Sequence, residues 1–383
     1  MSTYALPEKL INDLNSSEEE LFDLLRTLAP IPAPSTKEDR RAAFCKDYFE
    51  KIGIKNVYID KAKNVVCPIN CENAEKIVLF SAHTDVVFPD EETLPFCEDD
   101  EYFCCPGIGD DTACLAHLMI ALKKVINHNL TAKCGVLVVA NSCEEGLGNL
   151  EGIKQIIKDY PNISEVYAFD WQYGEFVNKC VGSHRVEIRV KTEGGHSFGN
   201  FGRTNAIAVL SELITSLYSC SVPTIENSKT TYNVGLISGG TSVNTIAQNA
   251  SCTYEYRSDN EECLAIMQDF FDKTVEKARK THPDANFELR VIGKRPCGAK
   301  IDKIAFDSLC NKVKTACETY THIPCTPTSG STDCNIPASL GIPAVCVGTY
   351  IGNGAHTREE KVLKSSLLIG LKIVTHLLAS YFE

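Results

Sequence analysis

Four short apolar runs, each followed at once or within a few residues by an acid or a histidine, constrain the fold of this chain most. The runs are residues 76–82, 135–141, 166–169 and 344–348. Runs this short and this apolar predict strands that are buried on both faces, as in a parallel sheet. Ligands of open α/β sheets bind outside the carboxyl ends of the strands, so polar side chains at these ends are placed for chemistry.

The polar residues that follow these runs form, together with Asp110, a set of metal-binding type. The predicted ligands are His83, Asp110, Glu145, Asp170 and His356. Imidazole and carboxylate ligands without thiolate favour zinc, with manganese or cobalt as alternatives, and such a set can hold two divalent ions that share one carboxylate. Asp110 is the predicted bridge, because it lies between Gly109 and a predicted helix at residues 111–125.

Two further acids, Asp85 and Glu144, also receive roles. Asp85 stands two residues after His83, where it could accept the second ring N–H of that histidine and fix its tautomer. A metal-bound carboxylate is a poor proton acceptor, so the adjacent pair must divide the work. We assign Glu145 to the metal and Glu144 to the role of general base.

Five motifs carry a resemblance to a known family, and they occur in order over almost the whole chain. They are Ser81-Ala82-His83-Thr84-Asp85, Gly107-Ile108-Gly109-Asp110-Asp111, Cys143-Glu144-Glu145-Gly146, Phe169-Asp170 and Gly354-Ala355-His356-Thr357. The chain resembles the co-catalytic zinc exopeptidases, which include peptidase T, acetylornithine deacetylase, succinyl-diaminopimelate desuccinylase and glutamate carboxypeptidase. Thr112 departs from the family pattern, which often has Lys or Met at that position.

The resemblance implies a distribution of ligands between the two ions. His83 and Asp170 would hold one ion, and Glu145 and His356 the other. Asp110 would bridge the ions.

The middle of the chain breaks the buried pattern. Residues 181–191 alternate apolar and charged side chains, which predicts a half-exposed strand. A helix at 204–217, strands at 231–238 and 251–257, a helix at 261–279 and a strand at 286–292 complete a βαββαβ order. We therefore predict an α/β fold with a mixed, largely parallel sheet flanked by helices and an inserted ferredoxin-like domain. The predicted bounds are 1–181 and 293–383 for the catalytic domain and 182–292 for the insert, which the resemblance implies is a lid and a dimer contact.

Several residues are candidates for binding or polarising a substrate. His196 stands in a glycine-flanked loop of the insert, and by resemblance it would stabilise an oxyanion. Asn244 and Arg257 resemble the family positions that bind a substrate carboxylate, for which a guanidinium is well suited. Gly330 and Ser331, in a small-residue loop at 329–333, would contact substrate by the same resemblance.

Composition limits the setting in which the chain works. The net charge of −12 disfavours nucleic acid and anionic membranes, and no apolar stretch is long enough to span a bilayer. No secretory signal stands out at the start, so the 19 cysteines are expected to be reduced thiols in a cytoplasmic protein. The adjacent pair Cys104 and Cys105 could be redox-active, although free thiols fit their setting better.

Together these features predict a two-metal exopeptidase. The run at residues 194–205 looks most like peptidase T-like members, which favours a di- or tripeptide aminopeptidase that forms a homodimer through the lid. An N-acyl amino acid deacylase would use the same centre. A third hypothesis is a binding protein that has kept the fold without activity.

Overall fold

A computed structural model of the protein describes residues 4–383, and these divide into two compact units. The larger unit contains the chain up to Cys180 together with Ala299–Glu383, and the smaller one is the insert Val181–Gly298. Among the described residues, no helix combines the length and apolarity needed to cross a bilayer.

Ten α-helices and eighteen strands are numbered in chain order within the described residues. The helices are α1 (Glu8–Asn15), α2 (Glu18–Leu28), α3 (Asp39–Lys51), α4 (Cys114–Asn127), α5 (Glu151–Asp159), α6 (Ala206–Leu217), α7 (Glu261–Thr281), α8 (Lys303–Thr321), α9 (Asn335–Ser339) and α10 (Lys364–Ala379). The strands are β1 (Tyr58–Ile59), β2 (Val65–Ile69), β3 (Ile77–His83), β4 (Cys97–Glu98), β5 (Tyr102–Cys104), β6 (Gly135–Asn141), β7 (Ile163–Phe169), β8 (Glu175–Cys180), β9 (Gly182–Lys191), β10 (Gly195–His196), β11 (Thr230–Gly239), β12 (Thr245–Ile246), β13 (Asn249–Ser258), β14 (Asn286–Arg295), β15 (Thr326–Gly330), β16 (Ala344–Val347), β17 (Gly352–Asn353) and β18 (Lys361–Leu363).

The larger unit is built on an eight-stranded sheet with the order β1-β2-β6-β3-β7-β16-β8-β15. Its four central strands, β6, β3, β7 and β16, are parallel to one another, whereas β2 and β8 run antiparallel to their central neighbours. The strands β3, β6 and β16 are buried along their whole length, because helices and loops cover both faces. Phe80, Tyr167 and Leu371 lie in the core on one face, and Leu79, Val139 and Ile153 in the core on the other.

The insert is a four-stranded antiparallel sheet with two helices, and its chain order is βαββαβ. The spatial order β11-β13-β9-β14 is that of a ferredoxin-like domain. Tyr254 and Tyr256 of β13 pack with Leu213 of α6 and Phe271 of α7, so one face of the sheet is buried under the helices. The predicted fold class, including this insert, is confirmed.

Some predicted elements have different limits. The helix predicted from residue 111 begins at Cys114, because Asp110 and Asp111 have non-helical backbone angles. The last strand of the insert continues from residue 292 to Arg295.

Candidate metal centre

The carboxyl ends of the four parallel strands collect the acids and histidines that the sequence singles out. His83 is the last residue of β3, and Asp170 follows β7 directly. Glu144 and Glu145 come three and four residues after β6, and His356 stands in the loop beyond β16 and β17. Parallel strands end at the same edge of a sheet, so the topology brings these residues together.

Asp110 lies at the centre of this group. Its Oδ1 is 3.0 Å from Nε2 of His83, and its Oδ2 is 3.0 Å from Nε2 of His356. Nε2 of His356 also lies 3.1 Å from Oε1 of Glu145. One carboxylate thus faces two histidines from distant parts of the chain, each with a different oxygen, which is the arrangement that a bridging ligand requires.

Three sets of donor atoms in this cluster are close enough to share an ion, with the atoms of each set within 4.8 Å of one another. The first set is His83, Asp110 and Asp170, and the second is Asp110, Glu145 and His356. Both contain one imidazole and two carboxylates, and both contain Asp110. The third set joins His83 to Glu144 and Glu145, so the base candidate lies beside the same donors.

The charges in this cluster are not balanced by the protein. Burial and the nearby Asp110 raise the pKa of Glu145 to about 7, and burial with the same neighbour raises the pKa of Asp170 well above its usual range. Hydrogen bonds to Asp110 and Glu145 raise the pKa of His356 to about 11. Hydrogen bonds to His356 and His83 lower the pKa of Asp110 despite its burial. Glu145 and Asp170 have no such full compensation, and bound cations would supply the positive charge that favours their ionised forms.

The donor set fits a pair of divalent ions. Nitrogen and carboxylate oxygen are the ligands that zinc, manganese and cobalt accept, and no thiol belongs to any of the three sets. The two histidines differ in exposure to solvent. The side chain of His83 is 1% exposed, whereas that of His356 is 55% exposed, so the cluster is open to solvent on the side of His356.

Asp85 makes different contacts from those that its spacing suggested. The ring Nδ1 of His83 lies 2.9 Å from the backbone carbonyl oxygen of Asp85 and 3.5 Å from its carboxylate, so the carbonyl is the nearer acceptor. The carboxylate instead accepts the backbone N–H groups of Glu144 and Glu145, each at 2.9 Å, and the hydroxyl of Ser35 at 2.6 Å. Asp85 therefore fixes the backbone of both glutamates as well as the orientation of His83.

Glu360 is a functional candidate that the sequence analysis missed. Its buried carboxylate accepts the backbone N–H groups of Gly107, Gly109 and Asp110, each at 2.8 Å. A side chain at Gly109 would collide with Tyr350 and with this carboxylate, since a Cβ there would lie 2.7 Å from the Tyr350 ring. Glu360 thus holds the loop that presents Asp110. Its partners are 250 or more residues away in sequence, so no local pattern could have revealed it.

Glu360→Ala is expected to destabilise the fold and the metal centre together. Three backbone donors would lose their acceptor, at a cost of about 1–3 kcal/mol for each donor that water does not reach. We also expect metal affinity to fall about 10–100-fold, as for other groups that orient a ligand. Urea unfolding and metal titration would measure both effects. The exposed neighbour provides the control: if Glu359→Ala lowered stability and affinity as much as Glu360→Ala, the proposed role of Glu360 would be wrong.

Two other buried acids next to the centre also escaped the sequence analysis. Glu38 accepts the backbone N–H groups of Thr36 at 2.7 Å and Cys143 at 3.1 Å, so it holds the residue that precedes Glu144. Asp333 accepts the amide of Asn141 at 2.5 Å. Burial and the charge of Glu144 raise the pKa of Asp333 to about 7.

The insert carries the first of the substrate-binding candidates at one end. His196 is exposed on β10, and its Nδ1 accepts the backbone N–H groups of Phe198 and Gly199 at 3.3 and 3.2 Å. Asn244 immediately precedes β12, the partner of β10, and its backbone carbonyl accepts the N–H of Ser197 at 2.9 Å. His196 and Asn244 are therefore neighbours.

Arg257 lies at the other end of the insert. It is partly buried near the end of β13, opposite Ser183 at the start of β9. From Ser183 and Arg257, the paired strands β9 and β13 extend to Lys191 and Asn249 at their other end. The chain continues from Lys191 to His196 on β10. Eight residues of strand separate Arg257 from Asn249, which corresponds to about 27 Å. Within one insert, Arg257 is therefore not brought together with His196 and Asn244.

Gly330 and Ser331 lie beside the main sheet in the larger unit. Gly330 is the last residue of β15, so the predicted loop starts two residues later than expected. The strand β15 is parallel to β8 and thus runs opposite to the ligand-bearing strands, so strand direction alone does not place Gly330 at their carboxyl edge. The chain returns to the centre three residues later, through Asp333.

Comparison with known proteins decides the family. Residues 79–380 match the model of peptidase family M20/M25/M40. The chain belongs to this family. It is accordingly an enzyme of the peptidase and amidohydrolase type, and the predicted family resemblance is confirmed.

Individual relatives of this M20/M25/M40 chain are distant but similar along nearly their whole length. A succinyl-diaminopimelate desuccinylase of Corynebacterium glutamicum is 21% identical over 356 residues, which are 88% of this chain and 90% of that protein. The structure of aminopeptidase PepT from Bacillus cereus has a TM-score of 0.74 at 21% identity and covers 95% of this chain and 98% of its own. The YXEP protein of Bacillus subtilis, described as a dinuclear metal-binding peptidase of the M20 family, has a TM-score of 0.66 at 15% identity, with 95% and 98% covered.

Proposed function

We propose that the protein hydrolyses the amide bond of small peptides as a two-metal aminopeptidase acting on di- or tripeptides. The observation that carries this proposal is the pair of donor sets that share Asp110, with Glu144 beside them. His83, Asp170, Asp110, Glu145 and His356 would hold the two ions, with zinc expected and manganese or cobalt as alternatives.

The residues of the chain would divide the catalytic work. When bound, a pair of divalent ions acidifies a water molecule and polarises the scissile carbonyl. Glu144 accepts the proton of that water and later donates it to the leaving amine. Asp85 accepts the backbone N–H groups of Glu144 and Glu145 and so fixes the backbone from which the base and the neighbouring ligand extend.

His196 is proposed to stabilise the negative charge that develops on the carbonyl oxygen. Because its Nδ1 accepts two backbone N–H groups, the ring proton of the neutral imidazole resides on Nε2, which can donate. We expect His196→Ala to lower kcat by about 10²–10³-fold, the usual effect of losing one such donor. Steady-state kinetics would measure this, with His282→Ala on the same domain as control. Equal activity of the two variants would remove His196 from the mechanism.

The separation of Arg257 from His196 and Asn244 supports a homodimer. A small substrate that contacts all three residues must receive Arg257 from one insert and His196 with Asn244 from another. In one copy, the strand from Arg257 to Asn249, about 27 Å long, lies between them. The edge strand β11 offers a surface for such pairing, since Leu236 and Ile237 are 70% and 61% exposed.

Mixing two inactive variants tests this arrangement. If His196 acts on the centre of a partner copy, His196→Ala and Glu144→Gln should each be nearly inactive alone, and their mixture should regain up to about a quarter of wild-type activity through mixed dimers. Absence of any recovery, in a mixture shown by mass spectrometry to exchange subunits, would assign His196 to its own copy.

The nature of the substrate separates the main proposal from its alternative. Residues 194–205 resemble peptidase T-like members, which favours peptides, whereas the similarity to the desuccinylase of Corynebacterium glutamicum favours an N-acyl amino acid. We expect turnover of di- and tripeptides with a free α-amine in a panel that includes N-acetyl and N-succinyl amino acids, with zinc, manganese and cobalt supplied separately. Turnover of acylated substrates alone would reject the peptidase and support the deacylase.

A further inference from the structure

A small sheet of the larger unit carries two cysteines directly opposite each other. This sheet has the order β17-β18-β5-β4, and Cys97 on β4 is the antiparallel partner of Cys104 on β5. Directly opposed residues of such strands have Cα atoms about 4.5–5.5 Å apart, within the range of about 4.4–6.8 Å that disulfides span. The two thiols are also close enough for Cys97 to act electrostatically on Cys104. The pair could therefore be bridged with little movement of the backbone.

We propose that Cys97 and Cys104 form a redox-active dithiol, which peroxides oxidise to an intramolecular disulfide. Cys97 is exposed, so an oxidant can reach it, and Cys104 is partly exposed behind it. Cys105, the sequence neighbour of Cys104, is 1% exposed and points its thiol at the carbonyl oxygen of Ala29, so it is not the partner.

The reaction balances with hydrogen peroxide as the oxidant. The Cys97 thiolate attacks one peroxide oxygen, which breaks the O–O bond, releases water after proton transfer and leaves a sulfenic acid on Cys97. The Cys104 thiol then attacks the Cys97 sulfur, forms the S–S bond and releases a second water. Two thiols lose two electrons in total, and the peroxide gains them. Burial and the neighbouring Cys97 thiol raise the pKa of Cys104, in keeping with Cys97 as the first residue to react.

The chain contains a matched pair for the test. The thiols of Cys317 and Cys325 also act electrostatically on each other, but these residues are 0% and 3% exposed. The two pairs thus share proximity and differ in access to solvent. If access to solvent decides which thiols react, Cys97 and Cys104 must oxidise before Cys317 and Cys325.

The test is to titrate the native protein with hydrogen peroxide and then to map its peptides without reduction. We expect a Cys97–Cys104 linked peptide, lighter by two hydrogen atoms and reversed by dithiothreitol, before any Cys317–Cys325 link forms. Cys97→Ser and Cys104→Ser should each abolish it and retain the fold by circular dichroism. Earlier oxidation of the buried pair, or thiol loss elsewhere without a Cys97–Cys104 link, would overturn the proposal. This outcome is independent of the hydrolytic function.

Discussion

Glu144→Gln is expected to lower kcat by about 10²–10⁴-fold, the usual contribution of a general base, while the protein still binds two ions. Glutamine has nearly the same size and leaves the backbone N–H of residue 144 on Asp85, but it cannot accept a proton from water. Steady-state kinetics and metal analysis by mass spectrometry on the same sample would measure both quantities.

The neighbouring glutamate is the control for this experiment. Glu145→Gln should lose metal as well as activity, because Oε1 of Glu145 belongs to the donor set of Asp110 and His356. If Glu144→Gln lost an ion and Glu145→Gln kept both, the roles of the two residues would be reversed. If Glu144→Gln kept full activity, Glu144 would have no part in the reaction.

Asp110→Ala should have the largest effect on the metal centre. Each oxygen of Asp110 faces a different histidine, so this substitution removes one ligand from both donor sets. We expect the affinity for both ions to fall by more than the factor of about 10–100 that is typical of an outer-shell group, and hydrolysis to fall to background. Metal stoichiometry after dialysis and isothermal titration would measure the loss.

Single histidine variants separate a bridging role from an ordinary ligand. His83→Ala and His356→Ala should each weaken one ion and leave the other, because each histidine belongs with Asp110 to only one of the two assigned sets. Asp110→Ala protein that still bound two ions tightly would show that the carboxylate is not shared. If His83→Ala, His356→Ala and Asp110→Ala all lost the same amount of metal, the centre would hold a single ion.

The sequence predicts which polar residues come together in space, because the relevant signals are local. Short apolar runs identify β3, β6, β7 and β16, and the order of elements implies that their carboxyl ends meet. The polar residues that follow these runs are then neighbours in space, even though His83 and His356 are far apart in the chain. The alternation in β9 and the order of the later elements likewise predict the inserted domain.

The supporting contacts could not be predicted in the same way. Glu360, Glu38 and Asp333 act through hydrogen bonds to backbone or amide groups that are distant in sequence, and such partners leave no periodic pattern. Asp85 shows the limit of spacing arguments. Its spacing from His83 predicted that its carboxylate accepts the ring N–H, and the carboxylate lies 3.5 Å from Nδ1, but the backbone carbonyl is nearer at 2.9 Å. The carboxylate also accepts the N–H groups of Glu144 and Glu145, which spacing did not suggest.

Propensity was also a poor guide next to the centre. Residues 111–113 look helical in sequence, yet Asp110 and Asp111 leave the helical region so that Asp110 faces the two histidines and the side chain of Asp111 accepts the backbone N–H of His83 at 2.8 Å. Tertiary contacts therefore override local preference at the residues that the site needs.

Anomalous diffraction from crystals grown with zinc tests the central claim most directly. Two peaks should flank Asp110, about 3.5–4 Å apart, one beside His83 and Asp170 and the other beside Glu145 and His356. A fully occupied single peak at Asp110, or zinc bound only elsewhere on the protein, would contradict the two-metal account.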